Sequence, residues 1–538
     1  MNREDGLLLV AVCCLAVGVR LVPLAFSPLP FNPDGFVFAG KARAALAAGH
    51  LAATGDFVPA PDEYVFTSLL AALSAVTGVP PRYVVQVQVA VLGAVPPLVA
   101  AALARDLARS VGVPRPHRRV AAAAAGCGLA VEGLYLWRTT TVNAEVQGLA
   151  FVALLALALA RALSTGRRAW WGVALALAAL LPFTHNLSAV IGGLVLATFL
   201  ALAVLRTPRL SGAAAALLVG FWAYAIGYYE VAGLAEIGRF TDSPGLSLAW
   251  GILVVALALW LTTGSDRLRR AAPSVVAVGG VGVFVLNALR PVYPGSVPTP
   301  PLLLAFMAPL VVVVALAARG LPRAARTPEN PTLALLLAPL AVLGIGLTAG
   351  MTVDYQGMVT RSQTFMHLAA LVLAGVTVAR ATANRRRAVG VAVAALFVVS
   401  LLATAPFPYT EHRTKPYQAI TYPAEFEAAT FAAERVPHRW AGDNHVVYVA
   451  LKYTGTSATD RAVAEWLRGD APPPNCTVIA QRSWTTVGAQ AFPRMLPMDE
   501  SAYDRWLARG DVVYAVSGPD PLHAVAGREG CEPNPLAP

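Results

Sequence analysis

Thirteen apolar stretches, most of them close to the ~20 residues that a membrane-spanning helix needs, follow one another from the N-terminus to about residue 406. They lie near 6–29, 84–104, 119–137, 145–164, 169–184, 186–205, 211–229, 246–262, 272–289, 301–319, 331–350, 363–380 and 388–406. So many long apolar runs in series fit helices crossing a bilayer, so the chain reads as a mainly α, polytopic membrane protein with about 13 transmembrane helices. Only 13% of the residues are charged and 57% are hydrophobic, against ~25% charged in an ordinary soluble protein. That balance excludes a purely cytosolic enzyme. The formal charge of +11 does not imply nucleic acid as a partner, because most of the basic residues sit in short loops between apolar runs. There they are a topology signal.

Placing the N-terminus in the cytoplasm puts 21 of the 29 Lys and Arg of this body inside, including Arg105, Arg119, Arg161, Arg206, Arg323 and Arg387. The other eight, Arg20, Lys41, Arg43, Arg82, Arg138, Arg239, Arg290 and Arg361, fall in spans or outside. The first run has no basic leader segment and no small-residue cleavage site after it, so it reads as a span and not as a signal peptide. After an odd number of spans, residues 407–538 emerge as a soluble extracytoplasmic α/β domain, with 12 Lys and Arg against 15 Asp and Glu. Its sequence predicts an amphipathic helix from Tyr422 and strands at 446–451 and 511–516. Cys476 and Cys531 both fall there, in a compartment that permits a disulfide between them.

The most informative loop follows the first span, Phe31-Asn-Pro-Asp-Gly-Phe-Val-Phe-Ala-Gly-Lys, at the start of an external region of about residues 30–82. Asp34 after Asn-Pro is either a turn former or a carboxylate held at the membrane surface as a general base. A small-residue helix follows it, then Asp56, Asp62, Glu63 and an apolar run to Val79 that is too short to span and packs back on the surface. Arg361, at the outer start of the twelfth span, either snorkels to the headgroups or holds a phosphate with its planar fork. Arg138 and Arg290 are weaker phosphate candidates of the same kind, and Glu145 is a further outward-facing acid. His185, in Phe183-Thr-His-Asn-Leu-Ser, sits in a polar turn or binds substrate. Inside the apolar body, Arg20 and Glu132 are an expected intramembrane pair, with a role for Glu132 in the site as the alternative.

An acid directly after the first span, a juxtamembrane helix, eleven to thirteen spans and a C-terminal outer domain resemble the GT-C superfamily of membrane glycosyltransferases. The layout is similar to the catalytic subunit of oligosaccharyltransferase. The tail lacks Trp-Trp-Asp-Tyr-Gly, and Trp137-Arg-Thr-Thr-Thr-Val-Asn-Ala-Glu lacks an Asp-x-Asp pair, so transfer of a single sugar fits better than transfer of an oligosaccharide. The resemblance implies a multi-pass cell-membrane enzyme, with the polyprenyl-phosphate-linked sugar as donor and a glycan, lipid or protein as extracytoplasmic acceptor. It implies Asp34 as base, Arg361, Arg138 and Arg290 toward the donor phosphate, and Asp56, Asp62, Glu63, Glu145 and His185 toward substrate. A divalent metal, Mg or Mn, enters only if Asp34 meets a second carboxylate. The rival readings are a transporter or lipid flippase that works through the Arg20–Glu132 pair, and a non-catalytic envelope assembly protein.

Overall fold

The computed structural model describes residues 3–52, 57–233, 242–294, 298–350, 352–384, 387–410, 417–491, 494–518 and 520–531. Each of the thirteen apolar stretches coils into helix. Among the described residues, nine helices are long and apolar enough to cross a bilayer, and a tenth span is a pair bent by 58° at Glu132. Two stretches form shorter apolar helices, Arg168–Leu180 and Thr332–Thr348, so not every one of the thirteen is a full-length span. The protein is a multi-pass membrane protein.

In chain order the body comprises α1 (Arg3–Leu21), α2 (Asp34–Ala48), α3 (Tyr64–Thr77), α4 (Pro81–Ser110), α5 (Arg115–Val131), α6 (Gly133–Thr140), α7 (Glu145–Thr165), α8 (Arg168–Leu180) and α9 (Asn186–Arg206). It continues through α10 (Ser211–Ala232), α11 (Pro244–Thr263), α12 (Asp266–Leu289), α13 (Pro301–Met307), α14 (Leu310–Ala324), α15 (Thr332–Thr348), α16 (Val353–Ser362), α17 (Thr364–Thr382) and α18 (Arg387–Thr404). Leu103, Leu107, Ala121, Ala125, Val152, Phe199, Leu371 and Val372 belong to one buried core that runs through the bundle. Small residues on α5 and α17 let those two backbones approach closely: a Cβ on Gly375 would stand 2.8 Å from the Ala121 carbonyl oxygen.

The C-terminal domain holds α19 (Pro423–Arg435), β1 (Trp440–Gly442), α20 (Asn444–Thr454), β2 (Ala458–Thr459), α21 (Arg461–Arg468), β3 (Val478–Gln481), β4 (Ala489–Ala491), β5 (Arg494–Leu496), α22 (Glu500–Arg509), β6 (Val512–Val516) and β7 (Leu522–Val525). Its five-stranded sheet has the order β2-β1-β3-β7-β6, parallel across β2-β1-β3 and antiparallel from β3 to β6. Residues 446–451, predicted as a strand, are helical. Asp443 caps that helix by accepting from the Val446 N–H (3.2 Å), and Gly455 ends it in the left-handed conformation. The apolar residues 446, 447, 449, 450 and 453 then share one buried face, a period that a short Val-rich run hides.

Helix α2 joins the two parts. Phe36 and Ala39 enter the domain core beside Ala428, Val446 and Tyr453, while Phe38 and Ala42 pack with Phe66 of α3 and Val85 of α4. Gly40 allows this sandwich, since a Cβ there would stand 2.6 Å from the Lys452 carbonyl oxygen. Arg82 donates to the Tyr453 hydroxyl (2.9 Å), and Arg43 donates to the Tyr453 carbonyl (2.6 Å). These bonds staple the domain to the body.

Cys476 and Cys531 form a disulfide with Cα atoms 5.1 Å apart, closing a sequence separation of 55 residues. A loop of that length restricts the unfolded chain by about 4 kcal/mol. Changing both cysteines to Ala should lower the denaturation midpoint of the C-terminal domain and speed its proteolysis in the intact protein. An unchanged midpoint would show that the sheet core alone sets domain stability.

Candidate active site at the junction of body and domain

The site begins with a backbone constraint. Asn32 has φ of 96°, the only positive φ outside glycine among the described residues, and Asn tolerates that region better than most side chains. Three chain segments meet on it. Its N–H donates to the Ala419 carbonyl (2.7 Å), its Oδ1 accepts from the Val142 N–H (2.9 Å), and its Nδ2 donates to Asp34 Oδ2 (3.0 Å). Beside it, the Phe31 N–H donates to Gln86 Oε1 (3.0 Å), and Gln86 Nε2 donates to the carbonyls of Arg20 (3.1 Å) and Thr140 (3.0 Å). Phe31 and Ile420 form an isolated antiparallel bridge.

Asp34 opens α2, where a carboxylate also meets the positive end of the helix. It reaches solvent yet is held between Asn32 and Tyr448 of α20. The enclosing protein raises its pKa above the ordinary carboxylate value. The Tyr448 hydrogen bond and the charges of Arg361 and Lys452 pull it back down, and Glu63 pushes it up. Tyr448, on α20, donates its hydroxyl to Asp34 Oδ1 (3.1 Å), and burial beside this carboxylate pushes the phenol pKa up.

Arg361 ends α16, with its Nε 3.4 Å from Glu145 Oε2. Glu145 is buried, and its other oxygen has no hydrogen-bond partner among the described residues. His185 is buried at the start of α9, where Nδ1 accepts from the Ser188 N–H (3.3 Å). Burial, then the charges of Arg361 and Arg138, hold its pKa well below the usual imidazole value, so the ring is neutral. Arg138 stacks on Trp137, 4.7 Å from the ring centroid. Asp34, Arg361, Glu145, His185 and Arg138 therefore form one neighbourhood, linked by contact or by charge.

Other predicted residues take different places. Glu63 pairs with Lys41 (2.5 Å) at the rim. Asp62 Oδ2 accepts from the Asn186 N–H (3.3 Å), which ties the start of α3 to α9. Arg290 is exposed at the end of α12, and no contact among the described residues brings it to Asp34. Asp56 lies outside the described residues.

The expected Arg20–Glu132 pair does not form. The Arg20 guanidinium donates to Thr139 Oγ1 (2.6 and 3.0 Å) and to the Ala16 carbonyl (2.8 Å) at the negative end of α1. Glu132 instead caps α6 and meets His367 (2.5 Å). Each charge is satisfied at a helix end, so neither needs the other.

Among the described residues no three His, Cys, Asp or Glu side chains stand close enough to hold an ion. Asp34 meets Asn32 and Tyr448, Glu63 meets Lys41, and Glu145 meets Arg361.

No protein-family model matches the chain, and no curated protein matches it. Solved structures do. The oligosaccharyltransferase of Archaeoglobus fulgidus, in a complex with Zn and sulfate, superposes with a TM-score of 0.51 at 12% identity, covering 89% of this chain and 68% of that one. The chain shares the overall fold of that structure. The oligosaccharyltransferase AglB from the same organism, in complex with an inhibitory peptide and a dolichol-phosphate, gives 0.49 at 12% identity over 90% of this chain and 70% of that one. ArnT from Cupriavidus metallidurans bound to undecaprenyl phosphate gives 0.38 at 12% identity over 99% and 100%.

The Asn32 junction yields a first test of the site's construction. Asn32→Ala loses the bond from Val142 and keeps an unfavourable φ, so it should lower stability by about 2 kcal/mol. Asn32→Gly relieves the φ and should recover part of that loss. Unfolding midpoints of the purified protein check the order, and equal midpoints for all three would contradict it.

Proposed function

We propose that this protein transfers a sugar from a polyprenyl-phosphate donor to an acceptor hydroxyl on the extracytoplasmic side of the membrane. The observation that carries the reading is an accessible carboxylate, held by Asn32 and Tyr448 and under the charge of Arg361, at the seam between an apolar body and a polar domain. The shared fold adds support. In this reading the Arg-rich loops lie in the cytoplasm with the N-terminus, and the C-terminal domain lies outside.

Asp34 takes the proton of the acceptor hydroxyl while that oxygen attacks the anomeric carbon. The bond from that carbon to the phosphate oxygen breaks, and the electron pair leaves with the lipid phosphate. Arg361, with Arg138 behind it, meets the negative charge on the leaving group. Tyr448 holds Asp34 through the domain, so the acceptor side and the base are set together. An apolar groove of about 450 Å³, lined by Tyr64, Val65, Ser68, Leu69 and Phe183, opens beside this region and suits the first isoprene units of the donor. A proton-accepting Asp with a raised pKa is a better base than an ordinary carboxylate, provided the pH keeps it ionised.

Membranes holding the full chain, supplied with a panel of labelled polyprenyl-phosphate sugars, test the reading. Asp34→Asn should cut transfer by about 10²- to 10⁴-fold. Equal transfer in both proteins would remove Asp34 as base, and no transfer by the wild type from any donor would overturn the reading.

The pH profile gives a separate check. Activity should rise with pH through an ionisation above the ordinary carboxylate range. Tyr448→Phe removes a bond that favours the ionised form, so this limb should move to higher pH. A limb that stays in place would disconnect Tyr448 from the base.

A further inference from the structure

We propose that Glu132 and His367, deep in the membrane body, are a positioning couple that sets Arg361 against Asp34. The inference rests on the roles given to those two residues above.

The couple stands where a helix breaks. Glu132 ends α5 and starts α6 with extended backbone (φ −61°, ψ 120°), at the 58° bend. Its carboxylate accepts from the N–H groups of Leu134 and Tyr135 (both 3.0 Å), and His367 Nδ1–H donates to the same carboxylate (2.5 Å). Glu132 is fully buried, and His367 keeps 17% of its side-chain surface. A serine or threonine would cap α6 without placing a charge in the apolar body. A buried carboxylate–imidazole pair suits register better than stability.

The register it holds leads to the site. From Glu132, α6 rises six residues to Arg138, and Val142 beyond it bonds Asn32. His367 lies on α17, and Arg361 lies six residues before it on α16, within one apolar helical stretch from Asp354 to Thr382. Six residues of helix rise about 9 Å. Two rods are thus clamped at one depth and carry the two arginines to the site at another. The break cannot slide, because the Gly133 N–H donates to Thr404 Oγ1 (2.9 Å) and a Cβ on Gly133 would lie 2.0 Å from the Thr404 carbonyl oxygen. With that end fixed on α18, removing the histidine frees α16 and α17 to turn relative to α6.

Two readouts on the full chain in lipid test the couple. In the transfer assay, His367→Ala should raise the KM for the polyprenyl-phosphate sugar about tenfold or more with the acceptor KM unchanged. His367→Asn, whose Nδ2 can take the place of Nδ1, should restore it. A purely structural role would lower the active fraction, and so kcat, at unchanged KM, and that result would overturn the proposal. The second readout needs no activity. Spin labels at Leu134→Cys and Gly357→Cys, with Cys13, Cys14 and Cys127 replaced by Ala, report the distance between α6 and α16. A shifted or broadened distance in His367→Ala that narrows again in His367→Asn supports the couple, and one distribution for all three sinks it. Absence of any transfer by the wild type would instead defeat the glycosyl-transfer reading and leave the distance to decide the couple. Glu132→Gln keeps an acceptor for the α6 N–H groups and serves both readouts if His367→Ala does not fold.

Discussion

The three bonds made by Asn32 are the constraint on which the site depends. One residue at φ of 96° joins the first external loop to the end of α6 through Val142, to the domain through Ala419, and to Asp34 through its own amide. A more ordinary backbone at residue 32 would direct the chain elsewhere. The body and the domain would still fold on their own cores, but the carboxylate would have no fixed place between them. Strain of this kind persists only where the surroundings over-determine it, and here three segments do so.

Around that knot, burial does the holding and charge does the aiming. Helix α2 lies between two apolar cores, one on the domain and one on the body. Cations then line the seam: Arg43 and Arg82 stack on aromatic rings around Tyr453, and Lys452 stands over Tyr448. Arg361 is drawn toward Glu145, whose second oxygen is left without a partner among the described residues. A planar guanidinium held on one side by a carboxylate keeps its remaining N–H groups for an incoming phosphate. On the opposite side of the bundle, Asp5 with Arg105 and Asp106 with Arg161 pair across helix ends.

Much of this was legible in the sequence. Among the described residues, apolar run length locates every helix long and apolar enough to cross a bilayer, because a bilayer leaves few other solutions. It does not give helix length, which is why α8 and α15 fall short of a full span. Asp34 and Arg361 stand out in the sequence as polar groups at the edges of long apolar runs, and the structure brings the charge of Arg361 to bear on Asp34. Tyr448 was not readable. It lies in a Val-rich run that matches a strand as well as a helix, and only the cap from Asp443 decides between them. The partner of Glu132 was missed for a related reason. The nearest opposite charge by membrane depth was Arg20, yet hydrogen bonding at two helix ends satisfied each group separately. Local capping overrode long-range pairing.

The proposed reaction is a single displacement, in which a hydroxyl activated by Asp34 attacks from the face opposite the departing lipid phosphate. That geometry turns the anomeric carbon over once. The most direct measurement is the anomeric configuration of the transferred sugar, read from the proton coupling at that carbon in donor and product. The account predicts inversion. Retention would require a covalent sugar–enzyme intermediate and two displacements, and would contradict the role assigned to Asp34.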